Sequence, residues 1–267
     1  MATILVTGGT GTLGRVLIDR LRTGDHEVRS LSRRAHAAPP RPGVRMFAAD
    51  LRQDAAVHAE TLTEAVTGAD VIVHCASTPT GGDVPAAGRL LAAAQAAQVP
   101  HLLYISIVGV DRVPFRYYRA KLEVERLLEE SKTGWTVLRT TQFHDLVLRV
   151  VKAGARSPVL PVPAGVRIQP IDVREVADRM AELAIGEPSG RVPDMGGPEV
   201  RTARDLARAT LRAGGRRRLL APLWLPGPTF RAFQAGGHLA PERAVGRTTY
   251  EEFLAERVPR EAAVGAS

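Results

Sequence analysis

Two groups of residues have the types and spacing that chemistry needs. The first is Thr7-Gly8-Gly9-Thr10-Gly11-Thr12-Leu13-Gly14-Arg15, where glycines at 8, 11 and 14 separate a β-rich run from a helix-like stretch. Lacking a Cβ, glycine permits a tight turn, close approach of backbone to a pyrophosphate, and close packing of helix on strand. A helix that opens near Leu13 then points free N–H groups and a partial positive charge at the same phosphates. A P-loop is excluded, because Arg15 and Val16 stand where a Lys and a Mg²⁺-binding hydroxyl would be required. The expected ligand is therefore a dinucleotide, held by Gly8, Thr10, Gly11, Thr12, Leu13 and Gly14. The second group is Tyr117 and Lys121, four residues apart and so on one face of a helix. An ammonium beside a phenol favours the phenolate and lowers the tyrosine pKa from about 10 toward the range of proton transfer. Tyr118 is the alternative ring.

The end of the second strand selects the dinucleotide, since an acid there bonds the ribose 2′-OH of NAD. Here the chain reads Leu31-Ser32-Arg33-Arg34, with no acid. Ser32 and Arg33 can hydrogen-bond and neutralise a 2′-phosphate, with Arg15 at the head of the first helix. NADP(H) is thus expected in preference to NAD(H). The competing reading makes Arg33 and Arg34 solvated surface charges.

Positioning these residues requires an alternating scaffold. Thr3 to Thr7 reads as a strand, Leu13 to Thr23 as a helix, Glu27 to Leu31 and Val44 to Ala48 as strands. The pattern continues with strand Asp70 to His74, an Ala-rich helix Val84 to Gln98, strand His101 to Ile105, helix Tyr117 to Lys132 and strand Trp135 to Arg139. Such alternation predicts an α/β fold, a doubly wound parallel sheet of the Rossmann type. Residues 1–153 are expected to form the nucleotide-binding domain and 154–267 a small, mostly helical C-terminal region. Within the latter, about 165–198 is expected to return to the sheet, with a helix over Asp172 to Ile185, and the remainder to form a substrate-side cap. Pro158, Pro161, Pro163 and Pro170 are read as breaks, two or three helices as following Thr202, and residues 262–267 as a frayed tail. Trp224, Phe230 and Phe233 line an apolar pocket or form the core of that cap.

Composition narrows the classes further. The 267 residues, 45% hydrophobic and 24% charged, suffice for a sizeable core. Cys75 is the only cysteine, which excludes an intramolecular disulfide and a cysteine-based zinc site, and reads as a small buried hydrophobe. The histidines have no metal spacing, so no metal is expected, and no Gly-x-Ser-x-Gly elbow offers a hydrolase nucleophile. The charge of +8 comes from scattered arginines, with one tight cluster at Arg212, Arg216, Arg217 and Arg218, while aromatics are only 4%. That pattern lacks a stacking platform and argues against nucleic acid. No run approaches the roughly 18 apolar residues of a membrane span. With no leader-like N-terminus, a cytoplasmic protein acting on a small molecule is expected, as monomer or homodimer.

The glycine spacing, Ala49-Asp50-Leu51, and Tyr117-Tyr118-Arg119-Ala120-Lys121 resemble the short-chain dehydrogenase/reductase superfamily, and in particular its atypical NmrA-like branch. Pro170-Ile171-Asp172-Val173 and Glu251-Glu252-Phe253-Leu254 extend the resemblance over essentially the whole chain. The resemblance implies that Asp50, with Leu51, contacts the adenine ring, that Ala76 and Ser77 line the nicotinamide-ribose side, and that Lys121 also holds that ribose. It further implies that Ser106 hydrogen-bonds a substrate carbonyl and that Gln142, Phe143 and His144 line the substrate pocket. The expected activity is an NADP(H)-dependent oxidoreductase acting on a carbonyl or alcohol, with Ser106, Tyr117 and Lys121 catalytic. The alternatives are a non-catalytic nucleotide sensor, as in regulatory members of that branch, and an epimerase or dehydratase using bound nucleotide.

Overall fold

The computed structural model describes residues 1–33, 42–53, 55–78 and 81–258. Arg34 and the expected frayed tail, 262–267, lie outside the described residues. In chain order the elements are β1 (Thr3–Thr7), α1 (Thr12–Leu21), β2 (Glu27–Ser32), β3 (Val44–Ala48), α2 (Ala55–Val66), β4 (Val71–His74), α3 (Asp83–Ala96), β5 (His101–Ile107), α4 (Arg116–Glu129), β6 (Gly134–Thr140) and α5 (His144–Gly154). They continue with β7 (Val159–Pro163), β8 (Arg167–Ile168), α6 (Val173–Ala184), β9 (Gly190–Arg191), β10 (Arg201–Thr202), α7 (Ala203–Ala213), β11 (Leu219–Leu223), α8 (Pro228–Gln234) and α9 (Tyr250–Arg257).

Two compact units result. The first comprises Met1–Asp111, Phe115–Arg139 and Arg174–Pro193; the second comprises Arg112–Pro114, Thr140–Val173 and the chain from Asp194 onward.

Among the described residues, seven strands form one sheet in the order β3-β2-β1-β4-β5-β6-β9. β1 pairs with β2 and β4 in parallel, which explains its continuous apolar run: Ile4, Leu5 and Val6 are fully buried because both faces of a doubly wound sheet are covered. Helices α2, α3 and α4 supply Ala65, Leu90 and Leu128 to a core shared with Leu5, Ile72 and Leu102. Beside that core, Arg139 makes a forked pair with Glu125, its Nη2 donating at 2.6 Å, while its Nη1 donates to Asp111 at 2.9 Å. These bonds tie α4, which carries Tyr117 and Lys121, to β6.

Sequence order runs outward from β1 through β2 to β3, then jumps back to β4 and runs the other way. Between β1 and β4 the direction of winding switches, and at such a point the loops beyond the strands' carboxyl ends diverge and leave a crevice. The glycine loop follows β1 there, and Cys75 to Ser77 follow β4.

The second unit has its own core, in which Val151, Leu160, Leu206, Phe253 and Leu254 pack together. Its last helix, α9, opens with a capping box in which Thr249 and Glu252 satisfy each other's backbone N–H groups. Phe230 is buried and Phe233 packs edge-on to His238, whereas Trp224 is 69% exposed.

Several elements go beyond the sequence expectation, and for α2 and β7 the physical reason is plain. Residues 55–66 form α2, where the sequence pattern predicts no element: Thr61 and Thr63 interrupt its apolar stripe, and among its described side chains, those of residues 57–66, Ala65 and Val66 at its end are the ones fully covered. Pro161 and Pro163, expected to break the chain, lie inside β7, which pairs in parallel with β11. A two-stranded sheet leaves one edge of each strand unpaired, so the missing proline N–H costs no ladder bond.

Candidate functional site

The loop after β1 is fixed by its own backbone. Gly8 N–H donates to the Leu31 carbonyl and Gly11 N–H to the Gly8 carbonyl, both at 2.8 Å. Gly8 has φ +71, and a Cβ on it would stand 2.8 Å from the Ala76 backbone. A Cβ on Gly14 would stand 2.3 Å from the Gly8 carbonyl oxygen, so α1 approaches the loop as closely as only glycine allows. Gly11 is the N-cap of α1 and among the described residues no side chain caps this end, which leaves the first-turn N–H groups to a ligand.

Within the first unit these elements border a cleft of about 310 Å³. Gly8, Thr10 and Gly11 form one wall, Leu31, Ser32 and Arg33 a second, Ala49 to Arg52 a third, and Cys75 to Thr78 with Asp83 and Ala86 the last. Thr12 opens α1 beside the cleft, while Leu13 and Gly14 are buried behind the loop. Ser32 Oγ is buried without a hydrogen-bond partner among the described residues, and a 2′-substituent on a ribose would supply one. The glycine cradle, the uncapped helix end and this orphaned hydroxyl together fit a dinucleotide.

Asp50 is placed on the cleft wall but its carboxylate is already engaged. Arg52 Nη2 donates to Oδ2 at 2.8 Å and Nε to Oδ1 at 3.0 Å, and this pairing holds the Asp50 carboxyl down at about 2. Arg33 lowers it further by its charge. Arg52, absent from the sequence expectation, therefore adds a second cation near Ser32 and Arg33. Its signal was the Asp-Leu-Arg spacing, which lets a guanidinium fold back on the carboxylate two residues earlier.

Tyr117, and not Tyr118, carries its hydroxyl to this wall: Tyr117 OH lies 2.7 Å from Ser77 Oγ, whereas Tyr118 is buried with its ring against Phe115. Ser77 O–H donates to Asp83 Oδ2 at 2.6 Å. Lys121 is buried directly beneath. Its Nζ donates to the Ile105 carbonyl at 3.0 Å and lies 4.6 Å from the Tyr104 ring and 5.9 Å from the Tyr117 ring. Ser106, next along β5, is 1% exposed and its Oγ has no hydrogen-bond partner among the described residues.

The electrostatics correct one expectation. Tyr117 is not lowered by Lys121; burial, and then the Asp83 charge, push it above the ordinary tyrosine value. Lys121 itself is lowered to about 8 by burial, against the opposing pull of Asp83. One of the three Nζ protons is committed to the Ile105 carbonyl. Cys75 on the same wall is pushed up to about 12 by burial and stays a thiol, as expected of an unreactive cysteine.

His74 ends β4 with Nδ1 hydrogen-bonded to Thr7 Oγ1 at 2.7 Å and its ring stacked on Tyr104. Burial, assisted by Lys121, lowers it to about 3, and burial lowers His238 to about 4. An unfolded chain takes up these protons near pH 6.5, where the folded protein refuses them, so stability is full above that pH and falls below it. Each histidine removes about 1 kcal/mol per pH unit. Urea unfolding at pH 7 and pH 5 is expected to show this loss, and an unchanged midpoint would contradict it.

The remaining expected residues lie in the second unit. Gln142 and Phe143 are half-buried just before α5, and Phe143 is its N-cap. His144 is fully buried, with Nε2 bonded to the Thr248 carbonyl at 3.0 Å and its ring against Tyr250 and Phe253. That is how a packing histidine is held. Asp83, missed in the sequence, follows Gly81-Gly82 as the first residue of α3, and an acid after a glycine pair is a legible helix start. Among the described residues no cluster suited to a metal occurs, and no helix is long and apolar enough to cross a membrane.

Known proteins resemble this chain in sequence and in fold. The chain is 32% identical over 219 residues to a (4-alkanoyl-5-oxo-2,5-dihydrofuran-3-yl)methyl phosphate reductase of Streptomyces griseus, covering 80% of this chain and 74% of that protein. It is 26% identical to quinone oxidoreductase 2 of Escherichia coli, covering 80% and 75%. The fold matches a crystal structure of an Escherichia coli NADPH-dependent quinone oxidoreductase complexed with NADPH, with TM-score 0.78 and 22% identity, covering 95% and 99%. The sequence model of the family described as NAD(P)H-binding matches residues 8–183, a span that holds the glycine loop, the end of β2 and the Tyr117–Lys121 pair. The chain belongs to this NAD(P)H-binding family.

Proposed function

We propose that the protein is an NADP(H)-dependent oxidoreductase of the atypical short-chain type, acting on a carbonyl or alcohol of a small molecule. The observation that carries this reading is the Tyr117 hydroxyl held at the cleft wall by Ser77, above a buried lysine. Relatives named as reductases support it.

A bound nicotinamide nucleotide supplies or accepts the hydride. The glycine loop and the N-terminus of α1 hold the pyrophosphate, and Ser32, Arg33 and Arg52 hold a 2′-phosphate. Asp50 orients Arg52. Ala76 and Ser77 border the nicotinamide side, and Lys121 holds the ribose. Tyr117 gives its proton to the carbonyl oxygen in reduction, and the unpartnered Ser106 hydroxyl binds that oxygen. Gln142 and Phe143 are proposed as substrate contacts from their place after β6.

Following NADPH absorbance with a panel of quinones and other carbonyl compounds tests the reading. NADPH is expected to be consumed faster than NADH. In Arg33→Ala the KM for NADPH is expected to rise roughly 10- to 100-fold, the worth of one charged hydrogen bond, with the NADH value unmoved. Nucleotide binding without turnover of any compound would favour a sensor, and equal use of NADH would contradict the 2′-phosphate site.

A further inference from the structure

We propose that Asp83 is a positioning residue that sets, through the Ser77 hydroxyl, the direction in which the Tyr117 O–H points. This role presupposes that Tyr117 carries the proton in the proposed reaction.

Hydrogen-bond accounting leads to it. Asp83 Oδ1 accepts the Thr78 N–H at 2.9 Å, and Oδ2 accepts the Ser77 O–H at 2.6 Å. A hydroxyl has one proton to give. With that proton committed to Asp83, Ser77 Oγ meets Tyr117 OH at 2.7 Å as an acceptor, and the phenol is the donor. The three groups thus form a chain of bonds with one polarity, running from Tyr117 to Ser77 to Asp83. The phenol proton is turned toward Ser77, and it reaches a substrate oxygen only by leaving that bond. Asp83 is only 6% exposed, so its charge acts on Tyr117 with little solvent screening.

One substitution reverses the polarity. In Asp83→Asn the Thr78 N–H keeps an amide oxygen as acceptor, which leaves the amide NH₂ facing Ser77. Ser77 then accepts from the amide and gives its own proton to the Tyr117 oxygen. Donation to that oxygen favours the phenolate, and loss of the carboxylate charge acts in the same direction. The other titratable groups set against Tyr117 among the described residues stay in place: Lys121 from α4, whose Nζ lies 5.9 Å from its ring, and Tyr104 from β5. Behind them, Glu125 of α4 and Cys75 and His74 at the end of β4 act on Lys121 and are also unchanged.

The experiment reads Tyr117 directly in the ligand-free protein. The chain has four tyrosines, so ¹³Cζ-tyrosine NMR gives few signals, and Tyr117→Phe assigns the one that matters. In Asp83→Asn the Tyr117 signal is expected to titrate about one pH unit below the wild type. Asp83→Ala, which also frees the Ser77 proton, is expected to move it in the same direction, so two variants read the same bond. In a Ser77→Ala background most of the Asp83→Asn shift is expected to vanish. The alkaline limb of the pH–rate profile for carbonyl reduction is expected to move down with the NMR titration. A Tyr117 titration unmoved by both Asp83 variants overturns the proposal. So does an equal shift in the Ser77→Ala background, which would reduce Asp83 to a distant charge. Absence of turnover with every carbonyl compound counts against the oxidoreductase reading alone, because the NMR titration needs no substrate.

Discussion

The Tyr117→Phe protein is expected to turn over carbonyl substrates roughly 10²- to 10⁴-fold more slowly than the wild type, with NADPH affinity unchanged. The hydroxyl is the only atom removed, and it sits 2.7 Å from Ser77 on a wall of the cleft. The ring stays, with its edge contact to Tyr118 and its place above Lys121, so packing of α4 is preserved. A loss confined to kcat is the signature of a group used in the transition state and not in nucleotide binding. Steady-state kinetics with NADPH saturating measures it. Tyr118→Phe is the matched control, because that ring is buried against Phe115. Full activity in Tyr117→Phe would remove Tyr117 from the mechanism.

The second large effect lies in the glycine loop. Gly14→Val is expected to abolish nucleotide binding and to destabilise the fold by several kcal/mol. Its first added carbon alone would lie 2.3 Å from the Gly8 carbonyl oxygen and 2.8 Å from Gly9 Cα, both backbone atoms that cannot swing aside. Overpacking of this kind costs about 1–3 kcal/mol or more, and here it also pushes α1 away from the phosphates it must meet. Gly88 provides the contrast. It lies within α3 with open space where a Cβ would stand, so Gly88→Ala is expected to stabilise by about 0.5–1 kcal/mol and leave binding intact. Urea unfolding and calorimetry on both variants measure the difference. Retained NADPH binding in Gly14→Val would contradict the placement of the pyrophosphate.

Much of this was legible in the residues. The strands of the first unit were clear because a sheet covered on both faces demands unbroken apolar runs, as in Ile4-Leu5-Val6 and Val71-Ile72-Val73. The glycine loop was clear because only glycine satisfies its steric demands. Other features depended on contacts that spacing does not encode. The choice between Tyr117 and Tyr118 turned on which ring reaches Ser77, a residue 40 positions away. The direction of the Tyr117 shift turned on burial and on Asp83, neither of which a Tyr–Lys spacing reports. β7 was hidden because prolines read as breaks until a strand with a free edge accommodates them. Arg52 and Asp83 were in plain view, but a carboxylate's partner is set by folding and not by type.

Calorimetric titration of the purified protein with NADPH, NADH, NADP⁺ and NAD⁺ in one buffer tests the central claim most directly. Both phosphorylated nucleotides are expected to bind roughly 10- to 100-fold more tightly than their counterparts, as a 2′-phosphate between Ser32, Arg33 and Arg52 requires. Equal affinity for NADPH and NADH, or no binding of either, would contradict it.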